Sequence, residues 1–220
     1  MQYVLGNMLN GGGGLNADGL SLDLQFAADK TLTARKGPTP TFTRASTGTF
    51  VGSNGLIQTA AINTPRFDHT SAGVCRGLLI EESRTNLILQ SENFASGTWS
   101  KAGGSISSVA NVEPDGSANS ELFTEDGANS THRTFQAFTG VSGTSYTLSV
   151  FLKFAGRDQI FLENRSIGTN PIVVFNIQNG TIGFVSPGLT AAIQAYPNGW
   201  YRCSITGTAT LAGGNYLIGG

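Results

Sequence analysis

The chain has 220 residues, 13 Lys plus Arg against 14 Asp plus Glu, a formal net charge of -1 and only 12% charged residues. This balance excludes a general polyanion binder, since nothing across the sequence draws nucleic acid or an anionic membrane. The length supports a core without disulfides or metals, and Cys75 and Cys203, far apart, form neither a zinc site nor a disulfide framework and read as free thiols.

Glycine accounts for 30 of the 220 residues, roughly twice average usage, and with the many Ser, Thr and Asn this is the mixture of an all-β protein rich in turns. The opening "MQYVLGNMLN" lacks the cationic and apolar regions of a secretory signal. No run of about 18 apolar residues occurs. The expectation is synthesis in the cytosol and no membrane insertion.

Residues 1 to 40 read as an extended Gly-rich arm, because the four glycines of "NGGGGLNADG" carry too much backbone entropy for a helix or strand. The apolar residues Tyr3, Val4, Leu5, Met8, Leu9 and Leu15 make it a docking arm, since a purely solvated leader would be more polar.

Residues 41 to 92 form a connector. In "TFVGSNGLIQT", Asn54-Gly55 supplies the positive backbone angles of a tight turn, so residues 47 to 52 and 56 to 60 pair as a hairpin. "NTPRFDH" breaks the pattern, because Pro65 cannot donate to a ladder. Residues 93 to 220 carry the regular β signal of an antiparallel sandwich of jelly-roll type, and the closing "GGNYLIGG" reads as a strand begun but not ended, so the domain is expected to continue past Gly220.

Within that region "TSYTLSVFLKF" places Tyr146, Leu148, Val150, Leu152 and Phe154 on one face at period two. "PIVVFNIQNGTIGFV" is a second hairpin around Asn179-Gly180, with strands near 172 to 177 and 181 to 185. "WYRCSITGTATL" alternates through Tyr201, Cys203, Ile205, Ala209 and Leu211, and weaker strands lie near 106 to 112, 119 to 124, 132 to 139 and 159 to 164.

Residues 41 to 94, "TFTRASTGTFVGSNGLIQTAAINTPRFDH" followed by "GLLIEESRTNLILQSENF", resemble a segment common in bacteriophage and prophage virion proteins. There a "TRAST" opening, a hairpin, a "PRF" stretch and "GLLIEE.RTNL" precede a β-sandwich. The region with "SENFASGTWSK", "YTLSVFLKF" and "GWYRCSITGT" is similar, more loosely, to carbohydrate-binding-module-like jelly rolls of phage appendages. The resemblance implies a non-enzymatic virion structural protein, the anchoring part of a tail fibre or similar adaptor, with a head fibre, a decoration protein or a host-glycan-binding module as alternatives. It implies other virion proteins as partners of the arm, a homo-oligomer, and a host surface glycan as a further ligand.

The adjacent Glu81 and Glu82 with Arg84 raise the question of an acid and base pair. A glycosidase needs two carboxyls facing one another across a bond, whereas neighbours on an extended chain point to opposite sides. The expected role is a structural joint, with Arg66 or Arg84 as partner through a charged, two-pronged hydrogen bond. His69 and His132 read as surface or loop residues. Neither a G-x-S-x-G elbow nor a phosphate loop occurs, so catalytic residues are none. No cofactor is expected beyond a structural calcium, for which Asp115 and Asp126 are weak candidates among the acidic loop residues, which include Glu113 and Glu125. For sugar, Trp99 and Tyr196 are the candidate exposed aromatics, since both flank turn-rich segments.

Overall fold

The computed structural model of the protein describes residues 21–168 and 170–220. The proposed arm anchors Tyr3, Val4, Leu5, Met8, Leu9 and Leu15 lie outside the described residues. From residue 21 the chain closes a small loop, with an isolated bridge between Asp23 and Lys36 and a one-turn helix α1 (Phe26–Asp29). Asp29 and Arg35 form an ion pair across it.

The connector holds two hairpins, β1 (Gly48–Val51) with β2 (Ile57–Ala60), and β3 (Phe67–His69) with β4 (Cys75–Leu78). Next come β5 (Ser100–Ala102) and the hairpin of β6 (Gly104–Ser108) with β7 (Glu121–Glu125). Then follow β8 (Arg133–Thr139), β9 (Ser145–Lys153), β10 (Gln159–Asn164), β11 (Ile172–Asn176) and β12 (Thr181–Val185). The last three are β13 (Leu189–Tyr196), β14 (Trp200–Thr208) and β15 (Gly213–Gly219).

These strands make an all-β, antiparallel sandwich. A six-stranded sheet runs in the order β12, β11, β10, β15, β8, β5, and a three-stranded sheet in the order β13, β14, β9. The core lies between them. Phe138, Leu162, Val173, Phe175 and Tyr216 come from the large sheet, and Leu148, Leu189, Cys203 and Ile205 from the small one. Leu162, Val173 and Phe175 are wholly buried, and each such side chain stabilises the fold by about 1.5–3 kcal/mol relative to exposure. The ring of Phe138 stacks on Tyr216 at 4.1 Å and meets Tyr146 edge-on at 5.6 Å.

Both Asn-Gly hairpins form where the turn chemistry places them. Gly55 has φ +77° and Gly180 φ +67°, angles at which a Cβ is strained. The Gly55 turn also packs on the turn between β3 and β4, so a side chain there would strike the Ser71 carbonyl.

Three expectations need correction. Tyr146, Leu148, Val150 and Leu152 face the core, but Phe154 lies past the end of β9 and is exposed. Leu211 likewise follows β14 and is exposed, whereas Ala209 is buried. His69 and His132 are not at the surface but 5% and 8% exposed, His69 within β3 and His132 in the loop before β8. His69 Nδ1 bonds Val51 O at 3.0 Å, and His132 Nε2 faces the Asp126 carboxylate at 3.2 Å. The strand read at "GGNYLIGG" forms over Gly213–Gly219, paired on one side with β10 and on the other with β8. Residues 213, 214 and 219 of this strand are glycine. They are there because backbone passes close by: a Cβ at Gly214 would sit 2.6 Å from Ser166 N.

Candidate functional site

The connector is pinned by one buried arginine. Arg66 Nη1 donates to Thr49 O at 2.8 Å and to the Glu81 carboxylate at 2.6 Å. Its side chain is 8% exposed, that of Glu81 56%. Thr49 lies in β1 and Arg66 just before β3, so this contact ties the two hairpins to the segment that leaves β4. The Asp68 carboxylate reinforces the joint by accepting the Val51 N–H at 2.8 Å. Glu82 pairs instead with Arg84 at 2.6 Å, both side chains in solvent. Each glutamate therefore has its own arginine, and the two carboxylates do not converge on a shared substrate position.

Beyond this joint, residues 80–87 are exposed and make no backbone-to-backbone hydrogen bond among the described residues. The segment is caught again at Leu89. There the Leu89 N–H donates to Gln136 Oε1 at 2.7 Å, and Gln136 Nε2 donates to Leu89 O at 2.9 Å. Ile88 beside it packs against the core. Further on, the Glu121 carboxylate accepts the N–H groups of Phe94 and Ala95 at 2.5 and 3.1 Å. Thus the connector crosses the flank of the sandwich between two fixed points.

On that flank the small sheet ends at β9. This strand pairs with β14 through all nine residues and has no ladder partner on its other edge among the described residues. A groove of about 1410 Å³ runs alongside, bounded by Ser83, Asn86 and Leu87 of the connector, Glu113 of the loop before β7, and Tyr146 and Ser149 of β9. Eight consecutive residues, Thr144–Phe151, at and just before this open-edged strand, line the groove between polar and apolar side chains. That chemistry suits an extended polypeptide, which pairs backbone to backbone and inserts alternate side chains.

The remaining sequence candidates are scattered. Trp99, expected to show an exposed face, is 3% exposed: its ring packs on Phe94 at 4.7 Å and its Nε1 donates to Gln90 O at 3.0 Å. It fastens the end of the connector and offers no surface to a sugar. Tyr196 is half-buried on the outer side of the small sheet, edge-on to Phe151 at 5.1 Å. Asp115 accepts the Ser117 N–H within its own turn, and Asp126 accepts the Ala128 N–H and meets His132. The two lie in different loops, and among the described residues no three His, Cys, Asp or Glu side chains gather as a metal site.

Some charges elsewhere are paired locally. The Arg157 guanidinium hydrogen-bonds Glu125 and holds its carboxyl below the usual range, against a smaller opposing effect of burial. Burial pushes the Cys203 thiol up to about 12, and burial together with nearby Tyr146 pushes the Tyr216 hydroxyl up to about 12. Both cysteines are free thiols, Cys75 half-buried and Cys203 buried.

Gln136 is the site residue that sequence reasoning missed, although a signal existed. Residues His132, Thr134, Gln136 and Phe138 share the inward phase of β8, and the first three are polar yet buried. Polar residues in a core phase announce that something other than core lies opposite. Here Thr134 donates to Ser100 O and Gln136 clamps Leu89. Compared with known proteins, the chain matches no family model, and it matches no curated protein sequence.

Proposed function

We propose that the protein is a non-enzymatic structural component of a bacteriophage particle, the particle-anchoring part of a tail fibre or a similar adaptor. The observation that carries this reading is the nine-residue open edge of β9 beside the groove. It is a built socket for an extended segment of another virion protein, and strand addition gives such contacts strength without large apolar surfaces. The sequence resemblance of residues 41 to 94 to phage virion proteins supplies the setting. A head fibre or decoration protein would use the same socket.

The test is to purify particles from a lysate, probe them for this chain, and image them by electron microscopy. The chain in the particle, with density along β9, supports the reading. Particles that lack the chain overturn it.

Host-glycan binding is the second reading, and one observation favours it. Phe151 and Tyr196 lie on the same outer face, where the register aligns Phe151 with Arg202 and Arg202 with Gln194. Aromatic edges beside an arginine and an amide fit a sugar. Binding on a glycan array that is lost in Tyr196→Ala supports it, and a blank array with folded protein sinks it.

A further inference from the structure

On the far side of the sandwich from β9, the large sheet ends at β12. All five of its residues are exposed, including Ile182 at 38%, Phe184 at 55% and Val185 at 36%. It pairs only with β11, so its outer edge is also open among the described residues. The outer strand of the small sheet, β13, lies beside it.

Charge distinguishes this flank from the others. Between Arg165 and Arg202 the 36 intervening residues contain no Asp, Glu, Lys, Arg or His, where the composition of the chain would place about four Asp, Glu, Lys or Arg. Exposed edges are normally guarded by charge, especially lysine, against pairing with another chain. The edge at β5 carries Lys101, and β9 ends in Lys153. The β12 edge carries no such guard.

We propose that the β12 edge is the surface through which two copies of this chain associate. Two copies of one face carry the same net charge, so an uncharged, unguarded edge is one that its own copy approaches without the repulsion that edge lysines ordinarily supply. The sequence of β12 suits a two-fold axis at Gly183. Antiparallel pairing then sets Ile182 of one copy opposite Phe184 of the other, and Gly183 opposite Gly183, where the absence of side chains permits close approach. Five paired residues alone fall short of the roughly 800 Å² per partner of a stable interface. The uncharged Thr190, Ala192 and Gln194 of β13 are exposed next to the edge and extend it. This association does not depend on the phage setting. It fails or stands on the mass of the purified protein, while the virion reading stands on the content of the particle.

The test is sedimentation equilibrium of the full chain, wild type against Ile182→Lys/Phe184→Lys, with melting temperature as the check on folding. Both positions are exposed, so the variant still unfolds in one cooperative transition, below the wild type only by what dimerisation adds. The expected result is a dimer for the wild type and a dissociation constant raised at least about a hundredfold in the variant. Four lysines would then face one another across the axis. A wild type that sediments as a monomer at tens of micromolar overturns the proposal, as does a dimer that the two lysines leave intact. If the wild type is a monomer and the variant is lost from particles, the edge serves a different protein and self-association is refuted.

Discussion

Replacing Gln136 with leucine tests whether the connector is fastened to the sandwich by one side chain. Gln136 is 5% exposed and makes two hydrogen bonds to the backbone of Leu89, at 2.7 and 2.9 Å. Neutral hydrogen bonds contribute about 0.5–1.5 kcal/mol each, so Gln136→Leu removes about 1–3 kcal/mol of local stabilisation. Leucine fills much of the same volume, and Leu89 is 66% exposed, so water replaces the lost partners of its main chain. The cost therefore falls on the docking of residues 80–89, and the sandwich keeps its core. In hydrogen exchange read by mass spectrometry, peptides spanning Leu89 should lose protection by about 5- to 150-fold, while those in β10 and β11 hold theirs. Unchanged exchange at Leu89 would refute the clamp. Equal loss across β10 and β11 would show that Gln136 serves the core and not the connector.

Three further outcomes are expected. Glu81→Ala leaves the Arg66 guanidinium buried with only Thr49 O for a partner and should cost about 1–2 kcal/mol, since Glu81 is itself more than half exposed; Glu82→Ala, at a solvated pair, should cost under about 0.5 kcal/mol, and equal denaturant midpoints would contradict the assignment of the joint. Gly55→Ala, at φ +77° and against the Ser71 carbonyl, should destabilise by about 1–3 kcal/mol, and a melting temperature equal to wild type would disprove the strain. Cys203 and Tyr216 have folded values of about 12, raised from 9.0 and 10.0, so native protein holds protons that the unfolded chain releases. The stability they contribute is complete below pH 9 and is lost as pH rises toward 12, which a urea titration series across that window would register.

The sandwich was legible in the sequence wherever a period of two ran between recognisable turns, as around Asn54-Gly55, Asn179-Gly180 and along β9. It was illegible where local chemistry spoke of something else. Pro65 hid β3, which is only three residues long. Strand β13, "LTAAIQAY", mixes small and polar residues and becomes a strand through its register with β14. Of the connector, the arginine and glutamate were readable as partners because charge needs a counterpart. The clamp at Gln136 was not, because its partner is a main-chain group 47 residues away that no side-chain pattern marks. Trp99 shows the opposite failure: a turn-rich neighbourhood suggested exposure, but an aromatic ring also serves to bury the turn itself.

The position of β15 also dictates the order in which the fold can be made. It is the last of the described strands in chain order, yet it separates β8 from β10. During synthesis those two strands emerge early and cannot find their places until Gly213–Gly219 leaves the ribosome, so the large sheet closes late, through contacts distant in sequence, and slowly. Until then β8 waits with an unpaired edge, and its polar inward residues Thr134 and Gln136 lower the risk that the waiting strand adheres to a neighbouring nascent chain.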